Sequence, residues 1–599
     1  MAISNIILNG GIVTFTIHVG GNLVPDKYNI FSVHVEKGIN KVSTALIVIL
    51  DGKSTTGEFD ASSFDIFLPG NELIISAGYD SKNELIFSGI ITKQSILIDG
   101  SVGSSLEIEC RDTAVKMTVG RKSRAFYQKK DSEIITSIIG AYADISANIT
   151  ATTSVWPQQI QYYVTDWDFI VSLAETNGLI VTALNGKISV FDPAAINTSV
   201  LIVSYGDNLL TFSADLNSAS QLNTVKASTW DYKNQVVMSG EATTEQAGPG
   251  NLSSKKLSAV LGLANYQLQT ATSLDNAGLT NWSKAQLVKS GYSKIQGVVK
   301  FQGSNLVDPG KYITLQGIGD RLSGDHLISG VVHDISDGNW TTEVTIGLSS
   351  NWFIEEPDVI SPSASGLLPG VRGLFNGTVK QMHEDPDSQF RILVDVPLFD
   401  QNGKGIWARL SNFYSTNGAG IFFLPEVGDE VVLGFLNEDP RCPIILGSMY
   451  SSAKLSPYAS LAPNEKNSLK AIVSKSGIFL QFDDEDKILT IQTPDNNKII
   501  LSDKDKQLSF EDDNGNSITM SIDGITIKSS KDINIEANQN VNIKGPQGVV
   551  VGAAAGDVAI SGINIKESAA NQYSAEGNTM AKVSGGVQLT LKGAMVMIN

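Results

Sequence analysis

Apolar and polar positions alternate along most of the 599-residue chain, in short runs broken by Gly, Asp and Asn. A period of two puts every second side chain on one face, so residues 1–120 read as half-buried β-strands joined by tight turns. Two stretches break that period. In DSEIITSIIGAYAD (131–144), Ile134, Ile135, Ile138 and Ile139 have the spacing of one helical face, with Asp131 expected as the N-cap. In TDWDFIVSLAETNG (165–178), Thr165 and Asp168 form a capping-box pattern, Trp167, Ile170, Leu173 and Ala174 share a face, and Gly178 ends the helix.

PGNELIISAGYDSKNELIFSGIITKQS (69–95) and PGKYITLQGIGDRLSGDHLISGVVHDIS (309–336) both run Pro-Gly, strand, Gly-containing turn, then a strand carrying Ser-Gly and two aliphatics. That order predicts two related β domains in the first 355 residues, with Ser88-Gly89 matched to Ser329-Gly330. DVISPSASGLLPGVRG (358–373) is rich in Ser, Pro and Gly and reads as a linker. After it, GLFNGTVKQM, FRILVDVPLF, GIWARLS, AGIFFLP and DEVVLGFL, closed by CPIILGSMY, predict a small barrel of the OB type, which hides its strand edges.

In the last third, residues 477–524 are short alternating strands with Asp, Asn and Lys turns. From Ile525 the pattern tightens, with Ile525/Ile527, Ile533/Ile535, Val541/Ile543 and Val549/Val551 recurring every eight residues. Each strand offers only a narrow apolar edge, and burial is worth roughly 25 cal/mol per Å² only against a facing surface. Three copies wound about a shared axis supply that surface, and eight residues is short for one coil of a single-chain solenoid.

Composition narrows the function. Hydrophobic residues make up 42% of the chain, so it folds, and a net charge of -18 argues against a nucleic-acid or anionic-membrane partner. Cys110 and Cys442 form neither a disulfide framework nor a CxxC pair. The start has no Lys or Arg before Lys27, and apolar runs such as ALIVIL are far below the roughly 20 residues that span a bilayer, so synthesis without Sec export is expected.

The densest carboxylates lie in FFLPEVGDEVVLGFLNEDPRCPIILG (422–447), with Glu426, Asp429, Glu430, Glu438 and Asp439. No His, Lys or metal ligand stands beside them to shift a pKa, and Pro425 and Gly428 bound a turn, so turn chemistry is expected rather than acid–base catalysis. The histidines at 18, 34, 326, 333 and 383 are scattered without ligand spacing, and EDDNGN lacks the pattern of a calcium loop. GIGDRLSG (317–324) is followed by no helix to receive a phosphate. No cofactor, metal or catalytic residue is expected.

GIWARL (405–410), GAGIFFLPEVGDEVVLGF (418–435) and NEDPRCPIILGSMY (437–450) closely resemble the OB domain of the VgrG family, the central spikes of type VI secretion, phage-tail and extracellular contractile injection machines. Trp407, Arg409, Pro425, Gly428, Asp429, Glu430, Asp439, Pro440 and Gly447 are the structural motif residues of that block. The segment 159–193 is similar to the family's hub around its helix. Two departures stand out: Ala419 replaces a frequent Trp, and Glu438 replaces a common Gly before Asp-Pro.

The resemblance implies a mainly β chain: a first hub β domain (1–120), a helix-containing insert (121–200), a second hub β domain (201–357), a linker (358–373), an OB-fold barrel (374–455), a second linker (456–471) and a trimeric intertwined β-helix (472–599). It further implies a homotrimer whose six hub domains offer a pseudo-sixfold platform to a hexameric inner tube protein. The other partners it implies are baseplate proteins, effector cargo, a PAAR-repeat tip protein docked on Val596, Met597, Ile598 and Asn599, and a target membrane met only on puncture. Such a protein is made in the bacterial cytoplasm, joins a particle that is cell-anchored or released, and is not an enzyme. The rivals are a phage-tail baseplate spike and a glycan-binding or glycan-cleaving tailspike.

Overall fold

The alternating runs pair into one sheet. β1 (Val13–Val19), β2 (Asn29–Gly38), β3 (Thr44–Leu50), β4 (Glu72–Tyr79), β5 (Lys82–Asp99) and β6 (Gly103–Arg111) lie in the order β2-β3-β6-β5-β4-β1. A second set, β7 (Ser199–Ser204), β8 (Leu209–Leu216), β9 (Ile295–Gln302), β10 (Tyr312–Gln316), β11 (Gly324–Ser336) and β12 (Asn339–Ile346), lies in the order β8-β9-β12-β11-β10-β7. β11 pairs with β2, joining both sets in one 13-stranded sheet. The computed structural model describes residues 11–598 apart from 101, 102, 197, 244–247, 273, 400 and 461–463, in two units, Met1–Met449 and Tyr450–Asn599.

Five strands of each set follow the same antiparallel path; the sixth differs, because β1 is antiparallel to β4 while β7 is parallel to β10. Irregularities repeat as well. β2 slips against β3 between Ile30 and Ser32, as β8 does against β9 between Leu209 and Thr211. β5 slips against β6 between Ile91 and Lys93, as β11 does against β12 between Ile328 and Gly330. The Gly70 and Gly310 amides donate to the Ile91 and Ile328 carbonyls, each at 2.8 Å. Ile91 and Ile328 are therefore equivalent, and the expected match of Ser88-Gly89 with Ser329-Gly330 is four residues out of step. Bulges and turn lengths set register; a shared dipeptide does not.

α1 (Asp131–Ile139) buries the four isoleucines, but Lys130 is its N-cap and Asp131 its first helical residue. Asp131 is drawn inward because its carboxylate accepts the Trp156 indole N–H and the Asn177 amide, both at 2.8 Å. α2 (Asp166–Thr176) is capped as its sequence predicts: Thr165 Oγ1 accepts the Asp168 amide at 3.1 Å, and Gly178 follows at φ +72°. α3 (Asn276–Tyr292) was not anticipated. Its buried face alternates Leu279, Ala285 and Leu287 with Ser283, Gln286, Lys289 and Ser290, so no apolar stripe announces it. Those polar groups are bonded instead, Ser290 Oγ accepting the Leu222 amide at 2.9 Å and Gln286 Oε1 the Trp352 indole at 2.8 Å.

The barrel closes as β13 (Phe375–Gln381), β14 (Ile392–Asp395), β15 (Ile406–Leu410), β16 (Glu430–Phe435) and β17 (Pro443–Ser448), in the order β13-β14-β15-β17-β16. Val379, Ile392, Val394, Ala408, Val431, Leu433 and Ile445 fill it. AGIFFLP, expected as a barrel strand, pairs only through Ala419 and Gly420 with Ser415 and Thr416, leaving Phe422 and Phe423 exposed. Its four consecutive apolar residues, Ile421 to Leu424, have no alternation to seat one face in a core.

In the second unit, seven strands from Leu469 to Lys528 form an antiparallel meander in which each pairs with the next. After Lys528 no strand follows among the described residues. Among the large apolar side chains there, the least exposed recur at Ile533, Val541, Val549, Val558, Ile565, Leu589 and Val596, all 51–53 % exposed. The eight-residue beat thus runs past Val551, slipping by one residue on either side of Val558 and again before Val596, and passing through Tyr573 and Ala581.

Candidate functional site

The carboxylate-rich turn leads into β16. Gly428 takes φ +87°, a left-handed conformation that a side chain would strain, and its amide donates to the Val379 carbonyl at 2.8 Å while Val379 N–H donates to Asp429 O at 2.9 Å. Asp429 Oδ2 accepts the Glu426 amide at 2.9 Å, and Asp429 N–H returns to Glu426 O at 3.0 Å. Glu430 Oε1 accepts from Asn376 of β13 at 2.6 Å. Pro425 is buried beneath the turn. The Asp429 and Glu430 carboxylates thus serve the turn and its joint to β13, and Glu426 joins the turn through its backbone.

Asp439 is held by Arg441 in a two-pronged contact at 2.9 and 2.6 Å, which keeps its carboxyl well below the usual range. Pro440 completes the turn half-buried, and Trp407 and Arg409 lie on β15, opposite Leu393 and Ile444. Gly447 lies opposite Val432 with open space where a Cβ would sit, so nothing in the structure demands glycine there.

Glu438 sits at φ +58°, next to Asn437 at φ +54°, where glycine would be unstrained. Its carboxylate takes Arg372 of the linker at 3.2 Å, its carbonyl accepts the Val371 amide at 2.8 Å, and Asn437 donates to Ser365 at 3.0 Å. Glu438 thus ties the linker to the barrel, a use of its side chain that offsets the backbone strain; the sequence signal was Arg372, the one basic residue of the linker.

Two buried histidines and one buried carboxylate of the hub are held by hydrogen bonds. His326 Nε2 meets the Leu322 carbonyl at 2.7 Å, and His333, fully buried and pushed down to about 3 by burial and the Lys37 charge, shares a 2.9 Å hydrogen bond with Thr342. The fully buried Asp166 carboxylate accepts from Lys122 at 2.7 Å, Tyr142 at 2.7 Å, Gln161 at 2.9 Å and Arg124. Burial works to raise its carboxyl, and these donors outweigh that and hold it below the usual range. We expect Asp166→Ala to cost about 3 kcal/mol, with the cations' partial exposure limiting the loss, read as a lowered urea midpoint of the hub transition. A depressed carboxylate contributes fully above the unfolded-state value near 4 and loses its contribution as pH falls through the folded value. The gap between wild type and variant should therefore close in acid.

Among the described residues no cluster of three or more His, Cys, Asp or Glu could hold a metal, and no helix is long and apolar enough to cross a membrane. At the C-terminal end, Val596, Met597 and Ile598 are exposed, while Asn599 lies outside the described residues.

Residues 9–337, more than half of the chain, match the family described as the Alg8 N-terminal domain, and residues 375–450 match the type VI secretion system/phage-baseplate injector OB domain. Spike protein VgrG1a of the type VI secretion system of Pseudomonas aeruginosa is 26% identical over 32% of this chain and 32% of its own length. VgrG1c of the same organism is 21% identical over 67% of this chain and 58% of its own length, so the chain spans less than two thirds of either relative. Among solved structures, an Escherichia coli type VI secretion component described as similar to phage T4 tail proteins gp27 and gp5 is 14% identical, covers 72% of this chain and 99% of its own, and superposes with a TM-score of 0.38. The chain belongs to the Alg8 N-terminal domain family, its barrel matches the injector OB domain, and over part of its length it is similar to VgrG spike proteins of type VI secretion systems.

Proposed function

We propose that the protein is the non-enzymatic hub and spike of a contractile injection machine. It acts as a homotrimer whose N-terminal sheets seat a hexameric inner tube and baseplate proteins and whose C-terminal segment punctures a target envelope. The observation that carries this reading is the stretch after Lys528. Its apolar side chains keep an eight-residue beat, yet none is buried and no strand pairs there among the described residues. A chain that exposes Ile and Val periodically and hides them nowhere by itself is built for identical neighbours: about 1 kcal/mol per half-exposed aliphatic is recovered in every layer once three chains share an axis. Force comes from sheath contraction elsewhere, and the spike contributes stiffness through paired β structure.

Val596, Met597 and Ile598 are exposed in the single chain, an apolar patch that a partner would cover, and a PAAR-repeat protein is the proposed cap, with effector cargo carried by the same tip. Removing residues 595–599 is expected to abolish co-purification of that cap while leaving the hub folded; undiminished capture by the truncated chain would remove the tip from the account. The functional reading is tested by deleting the chain from its particle and counting inner tubes by electron microscopy. Loss of tube nucleation supports a hub, and unchanged tube numbers would refute it.

A further inference from the structure

The junction inside the hub sheet records how one repeat meets another. β11 and β2 pair antiparallel from Gly330 opposite Gly38 to Ser336 opposite Ser32, with His34 and Asp334 facing each other and their side chains 2.6 Å apart. Elsewhere the same two kinds of edge stand open. β4 covers β5 only from Lys82 to Ile90, and from Lys93 to Ile98 the side of β5 away from β6 has no strand beside it among the described residues. β8 pairs with β9 on one side and with no described strand on the other. The bulges make β5 with β6 the counterpart of β11 with β12, and β8 with β9 the counterpart of β2 with β3. Each chain therefore contains the junction once and carries both halves of a second.

We infer that a second copy of this chain completes it: β8 of one copy adds to the sheet along β5 of the next, antiparallel, in the register the internal junction dictates. This rests on the homotrimer proposed above. Gly330 is equivalent to Lys93 and Ser32 to Thr211, so the His34–Asp334 pair becomes Ser213 opposite Leu97, with Ser95 opposite Asp215 and Ile98 opposite Phe212.

The chemistry of the edges fits. Ile96, Leu97 and Ile98 are 52, 56 and 70 % exposed, an apolar edge of the kind that soluble proteins cover. Ile96 and Ile98 fall on the face of Ala214 and Phe212, which already pack on the second repeat's core, so the apolar layer would continue across the joint. Lys93 lies diagonal to Asp215, placing opposite charges at cross-strand distance. The contact is head-to-tail, the kind that closes into a ring when the rotation per copy allows, and three copies then place six repeats around one bore.

The test is a cysteine pair. In a Cys442→Ser background, L97C with S213C is oxidised by copper–phenanthroline in the full-length protein, alongside S95C with D215C as a second in-register pair and I96C with S213C as an out-of-register control. The expected result is a covalent trimer on non-reducing gels for both in-register pairs and at least tenfold less for the control. A protein trimeric by light scattering that yields no interchain bond at either pair, or an intrachain bond only, would overturn the register. A monomeric protein would instead overturn the trimer on which the inference rests.

Discussion

Replacing Ile535 and Ile543 together with Asp is expected to open the spike to trypsin while leaving the hub and barrel intact. Both side chains lie on the eight-residue beat and are largely exposed in a single chain, at 68 % and 69 %. Were the segment monomeric, adding two charges to an exposed stretch would change little. About a shared axis the same change sets three carboxylates around each of two layers, and desolvating them costs several kcal/mol. When opening is fast, cleavage follows the open population, so the variant should be cut roughly a hundredfold faster at the lysines after Lys528. Equal digestion rates would contradict a shared core.

Lys289→Ala is expected to cost about 3–5 kcal/mol, the largest single-residue loss in the hub. Lys289 of α3 contacts Glu175 of α2, with side chains only 10 % and 9 % exposed. Glu175 also accepts the Phe353 amide at 2.6 Å, and the Lys289 ammonium lies over the Trp352 ring at 5.4 Å. The four groups line a cleft of about 410 Å³ between the helical insert and the second repeat. Removing the cation strands a buried carboxylate, whereas Lys289→Met with Glu175→Gln removes both charges and retains the acceptor for Phe353. The double variant should recover most of the loss in a urea titration followed by Trp fluorescence; a double variant no better than the single would show that packing, not charge, sets the cost.

Local chemistry with a fixed period was legible in the sequence, and long-range register was not. The barrel core could be read because Val431 and Leu433 alternate directly after a glycine turn, and both are fully buried. α2 could be read because its cap and its stripe agree. α3 was hidden because its buried face is half polar and becomes tolerable only through Ser220, Leu222 and Glu175, partners far away in sequence. The hub repeat showed in strand order but not in its true alignment, which bulges at Thr92 and Ser329 decide. Among the motif residues, Gly428 announced itself by its turn, whereas the linker tie at Glu438 required a conformation, φ +58°, that no residue pattern revealed. The beat of the C-terminal segment could be counted to Val551 and was lost where Gly and Ala replace Ile; exposure in the folded chain restores it as far as Val596.

The measurement that bears most directly on the trimeric spike is the solution mass of the purified full-length chain by light scattering. The account predicts about 192 kDa, three times the 64.0 kDa chain. A folded monomer near 64.0 kDa would contradict it, because the segment after Lys528 would then have to be stable with its aliphatic beat facing water.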